Sequence, residues 1–309
     1  MLIEPGAELE KVASGAIWSE GPVWLPDSAT LRFSDIPNNR ILQFHQESGE
    51  LTVYRDEVGF TNGRTLDLDG SVIQCSHGGR AIERDSGGTV EVIVDAWRGT
   101  PFNSPNDVVV KSDATIWFTD PSYGIRKAGE GYPGELEYGD HYVFRFDPAD
   151  ATVTPVVLDV EMPNGLAFSP DESLLYVADS GLEPPDGVRD PRRRGGHSIH
   201  CYDVFDGRLC KNGREFVEVS PGLPDGFRVD ELGNVWTSSA DSVQVFDPAG
   251  QRVERIPVPE TISNLCFGGP DGRTVYITAS TSLYRVRTTV RDAAAVLRER
   301  RAAVPPHSH

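Results

Sequence analysis

Six times along the chain, a side chain ending in a carboxylate or amide oxygen heads the same short pattern: an apolar strand, a tight turn and a second strand. The heads are Glu20 (Glu-Gly-Pro-Val-Trp), Asn62 (Asn-Gly-Arg-Thr-Leu), Asn106 (Asn-Asp-Val-Val-Val), Asn164 (Asn-Gly-Leu-Ala-Phe), Asp225 (Asp-Gly-Phe-Arg-Val) and Asn264 (Asn-Leu-Cys-Phe). They are spaced by 42, 44, 58, 61 and 39 residues. An aromatic or aliphatic residue recurs in each second strand, at Phe33, Ile73, Trp117, Tyr176, Trp236 and Tyr276, always 11 to 13 residues after its head. Only the intervening turn varies, and turn formers such as Pro26-Asp27-Ser28, Asp69-Gly70 and Pro270-Asp271-Gly272 build it.

Third strands follow at Ile41 to Phe44, Ala81 to Arg84, Tyr142 to Phe146, Ile199 to Tyr202, Val243 to Phe246 and Leu283 to Val286. Most of them alternate apolar and polar residues, as half-buried strands do. Fourth strands are expected at Leu51 to Tyr54, Val90 to Val94, Val153 to Leu158, Arg214 to Val217 and Val253 to Ile256, which leaves the sixth unit one strand short. The segment Glu8 to Val12, ahead of the first head, supplies it. The pattern predicts an all-β chain, a six-bladed β-propeller whose N-terminal strand completes the last blade. Two packed sandwiches would not explain why the repeat is complete only when the first segment joins the last. Residues 1–288 are expected to form this single domain, and 289–309 a tail, helical over Arg291 to Arg301 and disordered from Pro305. Two units carry long insertions, Arg126 to Asp140 and Gly181 to His197, which read as loops over a site or as surface decoration.

Composition narrows the functional classes. A net charge of −18 argues against nucleic acid as a partner. No apolar run approaches the roughly 20 residues that span a bilayer, and the first residues lack the basic and apolar regions of a secretory leader. A cytoplasmic protein without a membrane partner is expected, its oligomeric state open. Cys75, Cys201, Cys210 and Cys266 form no Cys-x-x-Cys pair, so reduced thiols are expected, although Cys201 and Cys210 could face each other across a hairpin.

In a propeller the innermost strands line a central channel, so the six heads should form one ring around it. Every position offers oxygen and none offers sulfur or imidazole. Hard divalent cations want this donor set, Ca²⁺ first because a mixed carboxylate and amide cage suits it. The competing reading is that Asn-Gly and Asp-Gly pairs are turn chemistry at strand starts. The second strands return to the same face and end at Asp35, His77, Asp120, Asp179, Ser239 and Ser280. His77 could touch a ligand, act as a base behind the ring, or be a hydrogen-bonded structural histidine. Asp120-Pro121-Ser122-Tyr123-Gly124 could contact substrate or form a tight turn.

Glu20-Gly-Pro-Val-Trp, Asn103-Ser-Pro-Asn-Asp-Val-Val-Val, Ile116-Trp-Phe-Thr-Asp-Pro-Ser-Tyr-Gly, Pro163-Asn-Gly-Leu-Ala-Phe-Ser-Pro-Asp and Asp225-Gly-Phe-Arg-Val-Asp together resemble the gluconolactonase family, whose wider group includes regucalcin and the luciferin-regenerating enzyme. The likeness runs from about Glu20 to Val286. It implies a six-bladed propeller that holds one divalent cation, with Ca²⁺ favoured and Mg²⁺, Mn²⁺ or Zn²⁺ open, and that hydrolyses sugar lactones. Glu20, Asn164 and Asp225 match the family's metal ligands, and Asn106 matches a residue that binds metal or substrate. Asn62 and Asn264 rest on the ring argument and join His77, Asp120, Tyr123 and Asn106 as expected substrate contacts. The chain departs from regucalcin-like members at Ser104, where they carry arginine.

Asp225 is the expected general base, with Asp120 or Asp179 behind it. Two rivals stand beside this reading: a phosphotriesterase of the diisopropyl fluorophosphatase type, for which Arg192-Arg193-Arg194 would favour an anionic substrate, and a propeller scaffold without catalysis.

Overall fold

Residues 2–181 and 196–302 are described by the computed structural model. Six four-stranded antiparallel sheets make up the blades. From the inside outward, blade one is Ser19–Leu25, Thr30–Asp35, Arg40–His45 and Leu51–Asp56, and blade two is Thr61–Leu66, Val72–Ser76, Ala81–Ser86 and Thr89–Val94. Blade three is Val108–Val110, Ile116–Asp120, Tyr142–Asp147 and Thr152–Val157. Blade four is Pro163–Phe168, Leu174–Asp179, Ser198–Phe205 and Leu209–Glu218. Blade five is Phe227–Val229, Val235–Thr237, Ser242–Phe246 and Arg252–Pro257, and blade six is Ile262–Gly268, Thr274–Ala279, Ser282–Arg287 and Glu10–Ser14. The innermost strands adjoin one another in ring order.

Burial explains the sequence patterns. The second strand of a blade has sheet on either side and a blade on each face, so Val72–Ser76, Ile116–Asp120 and Thr274–Ala279 are buried throughout. The fourth strands have one sheet neighbour and face solvent; Thr89–Val94 is exposed or half-buried at every position. Apolar clusters fill the seams between blades. Trp236, Val245 and Ile256 of blade five meet Leu265, Phe267 and Val275 of blade six, and Leu31, Phe33 and Phe44 of blade one meet Cys266, Tyr276 and Leu283 of blade six. The seam between blades one and two is polar instead. Arg32 stacks 3.5 Å over the Tyr54 ring and approaches Asp85 at 3.5 Å, while buried Arg64 donates to Ser34 Oγ at 2.7 Å.

The N-terminal strand closes the ring as the pattern required, although it sits slightly later than Glu8 to Val12. Glu10 pairs with Arg285 and Ser14 with Ser282, with a bulge between Lys11 and Ala13. An Arg285–Glu10 ion pair at 2.8 Å braces the closure. The outer strand of blade four is ten residues rather than the four expected from Arg214 to Val217, because it continues the hairpin from Ser198–Phe205 down to Leu209. Cys201 pairs with Arg214 and not with Cys210, and all four cysteines are free.

An α-helix, Ala293–Ala302, lies across one mouth of the channel, and its Ala293 joins the apolar cluster of blades four and five. Beneath it is a cavity of about 390 Å³ lined by inner-strand residues such as Val23, Leu66, Val110 and Phe267, which contains none of the six heads. No helix among the described residues is long and apolar enough to cross a membrane. Most of the insertion Gly181 to His197, with Arg192 to Arg194, and the segment from Pro305 onward lie outside the described residues.

Candidate active site

The six heads stand at equivalent places, and strand geometry explains how they leave the alternation of an ordinary strand. In four blades the inner ladder slips at the head: between Glu20 and Val23, Thr61 and Arg64, Pro163 and Leu166, and Ile262 and Asn264. A bulge of this kind bends the strand and re-aims a side chain. In blades three and five the head comes two residues before the first ladder pair, Val108 with Phe118 and Phe227 with Thr237.

The glycine that follows most heads has a different purpose from a turn. Only Gly21 of this set has a positive φ, 54°. What the set shares is contact with the next blade. A Cβ on Gly21 would lie 2.2 Å from Asn62 O, on Gly63 2.6 Å from Asn106 O, on Gly165 2.4 Å from Asp225 O, and on Gly226 1.9 Å from Asn264 Cγ. Asn62, Asn106, Asp225 and Asn264 are therefore each packed against the glycine of the preceding blade. The turn reading of Asn-Gly and Asp-Gly gives way to one in which glycine lets adjacent blades meet at the waist of the channel.

Glu20, Asn62, Asn106, Asn164 and Asn264 are buried, while Asp225 keeps partial exposure. Asn264 Nδ2 donates to Glu20 Oε2 at 3.0 Å and reaches Asp107 Oδ2 at 3.5 Å. Burial and the neighbouring charge of Asp107 push the Glu20 carboxyl up. Burial pushes Asp225 well above the usual carboxylate range, reinforced by Glu20, Glu130 and Asp107. Arg228, 3.7 Å from Asp107, and Lys127 offset this negative charge only in part. Asn62 Oδ1 is buried without a hydrogen-bond partner. Among the described residues no three His, Cys, Asp or Glu side chains form a metal cluster. The ring holds two carboxylates, so its remaining donors are amide oxygens. Excess negative charge and an orphaned amide oxygen fit a hard cation.

The second layer divides into clamps and contacts. Asp35 accepts from the amide of Ile17 at 2.8 Å and from that of Trp18, Asp120 from those of Asn103 and Ser104 at 2.8 Å each, and Asp179 from those of Glu161 and Met162 at 3.1 and 3.0 Å. In every case the donors are the third and second residues before the head, so one carboxylate pins the loop that delivers Glu20, Asn106 or Asn164. Asp120 also takes the Tyr138 phenol, and its oxygens are committed to the frame of the site. Ser239 and Ser280 engage nearby backbone carbonyls, at 2.6 Å to Ser242 O and 3.2 Å to Thr261 O.

Tyr123 opens a single helical turn, Tyr123–Arg126, and is pushed up by burial and by the charge of Asp225, which places it beside the ring. His77 bridges Asn62 Nδ2 at 3.2 Å and the Glu130 carbonyl at 2.8 Å. Ser104 is fully buried, donating to Pro121 O at 2.7 Å and accepting from the Gly124 amide at 3.0 Å, so it braces the corner that carries Tyr123.

Sequence reasoning missed Asp107, Glu130 and Arg228. Asp107 had a legible signal, since it occupies the place that glycine takes after Glu20, Asn62, Asn164 and Asp225. Glu130 had none, because a loop without strand pattern does not reveal where it folds.

Comparison with known proteins agrees with this architecture. The chain is 32% identical to a gluconolactonase of Zymomonas mobilis, an alignment covering 93% of this chain and 83% of that one. It is 29% identical to a pentonolactonase of Haloferax volcanii over 84% of this chain and 81% of the relative. Among solved structures, a gluconolactonase from Xanthomonas campestris superposes with a TM-score of 0.83 at 38% identity, covering 93% of this chain and 91% of that one. A calcium-binding regucalcin from Agrobacterium tumefaciens shares the fold, with a TM-score of 0.73 at 18% identity over 91% of this chain and 94% of that one. Residues 18–281 match the SMP-30/Gluconolactonase/LRE-like region, and the chain belongs to that family.

Proposed function

We propose that this protein is a divalent-metal-dependent lactonase that opens sugar lactones, with Ca²⁺ as the preferred cation. The observation that carries the reading is the pairing of Glu20 and Asp225 in one oxygen-lined ring whose negative charge has too little positive charge beside it. Relatives described as gluconolactonase and pentonolactonase, aligned over most of the chain, support the substrate class.

Glu20, Asn106, Asn164 and Asp225 would hold the cation. When bound, it supplies Lewis acidity, polarising the lactone carbonyl and acidifying a water molecule. Asp225 is assigned to take the proton from the attacking water, because it is the ring carboxylate that keeps some exposure. Tyr123, which feels the charge of Asp225, is assigned to substrate. Asp120 and Asp179 accept backbone amides and hold the loops in place.

The test is a panel of five- and six-membered sugar lactones with a fluorophosphate alongside, followed by pH-stat. Sugar lactones should be the preferred substrates by at least tenfold in kcat/KM. Faster turnover of the fluorophosphate, or turnover of no lactone, would overturn the reading.

A further inference from the structure

His77 joins the insertion Arg126 to Asp140 to the ring. His77 Nδ1 lies 2.8 Å from the Glu130 carbonyl oxygen. A carbonyl only accepts, so Nδ1 carries the proton. Both ring nitrogens of this fully buried imidazole face neutral groups, so with the proton on Nδ1 the Nε2 lone pair is left as an acceptor. Asn62 Nδ2 stands 3.2 Å from that lone pair. Asn62 must therefore give its NH₂ to His77, which fixes the amide rotamer and leaves Oδ1 turned away from the imidazole. Oδ1 is buried and finds no partner in the protein. An acceptor in that position needs an electropositive partner from outside the chain.

The loop is well placed to impose this orientation. On one side of Glu130, Gly124 packs flat on His77, so closely that a Cβ there would lie 2.6 Å from His77 Cβ. On the other side, Tyr132 meets Phe60 edge-on at 5.3 Å, two residues before Asn62. Farther along, the Tyr138 phenol donates to Asp120 and accepts from Asn103 Nδ2 at 2.9 Å. The Glu130 carbonyl is thus held from both flanks.

We propose that His77 is a positioning residue that makes Asn62 an oxygen donor to the cation of the ring, and that the Glu130 carbonyl ties this donor to the insertion Arg126 to Asp140. The proposal rests on the metal-dependent reading above. It gives the insertion a share in cation affinity, although no side chain of the loop need touch the ion.

Calorimetric titration of Ca²⁺ into the chelator-stripped full chain, without substrate, tests it. The set is wild type, H77F, N62A and the H77F/N62A pair, with H77Q as a milder replacement and a melting curve for each protein. Loss of a group that orients a ligand weakens metal binding by about 10- to 100-fold. H77F and N62A should each raise the Ca²⁺ Kd by about tenfold. The pair should be no weaker than N62A alone within about twofold, since both changes remove the same oxygen. H77Q, which can still accept from Asn62, should recover part of the loss. An H77F protein that melts normally and binds Ca²⁺ as wild type does would overturn the proposal, as would losses that multiply in the pair. A wild type that binds no divalent cation would overturn the metal reading itself, a result separable from wild-type binding that H77F leaves intact.

Discussion

The backbone amide of Gly165 donates to the carbonyl oxygen of Asp225 at 3.1 Å, joining two ring positions across the boundary between blades four and five. The equivalent bond between blades two and three runs from Gly63 N to Asn106 O at 2.8 Å. The ring is therefore built by contacts between blades, and its geometry depends on how closely they approach. Replacing Gly165 by alanine places a Cβ 2.4 Å from Asp225 O, against backbone that cannot yield cheaply. Overpacking of this kind costs about 1–3 kcal/mol. Gly165→Ala should lower the melting temperature and reduce kcat/KM by more than tenfold. Wild-type melting and turnover together would show that the blades separate more freely than described.

Asp225 and Asp179 should separate chemistry from scaffolding. Asp225→Asn keeps the shape but removes a proton acceptor and a charge that Glu20, Glu130 and Asp107 oppose. The variant should lose at least about a hundredfold in kcat, within the range of general-base effects. Its cation-free form should melt no lower than wild type. Asp179→Asn leaves amides of Glu161, Met162 and Gly181 short of a charged acceptor. It should cost about 1–3 kcal/mol of stability. Its kcat should fall less than that of Asp225→Asn. Denaturant unfolding with steady-state kinetics on both variants decides, and the reverse ranking in kcat would reassign the base.

His141 gives the protein an acid-sensitive joint. Its Nδ1 donates to Glu161 O at 2.7 Å, its Nε2 faces Ser122 Oγ at 3.0 Å, and burial pushes its pKa down to about 4. Unfolded histidine titrates near 6.5. As pH falls from about 6.5 to about 4, the unfolded chain takes a proton that the folded one refuses, so stability is lost on acidification. The full contribution is about 3 kcal/mol on an order-of-magnitude scale. Urea midpoints should therefore fall more steeply with acid in wild type than in His141→Gln. Parallel slopes would place the titration elsewhere.

The propeller was legible because its strands repeat, and repetition survives in the sequence whatever the loops do. Glu20, Asn62, Asn106, Asn164, Asp225 and Asn264 could be aligned by counting, and the missing strand of blade six pointed to the N-terminus. The clamps were less legible. Asp35, Asp120 and Asp179 end strands that return to the face of the heads, which sequence shows, but their backbone partners emerge only once the loops fold back. The glycines after the heads resembled turn formers, since sequence records small size without saying what lies opposite. Glu130 could not be placed at all, because its position depends on how residues 126–140 fold over blade two.

The most direct check of the central claim is lactone hydrolysis after complete metal removal, with Ca²⁺, Mg²⁺, Mn²⁺ and Zn²⁺ restored one at a time. The expected result is loss of sugar-lactone turnover in chelator, recovery with divalent cations led by Ca²⁺, and no recovery in Asp225→Asn. Full turnover by metal-stripped protein would contradict the account.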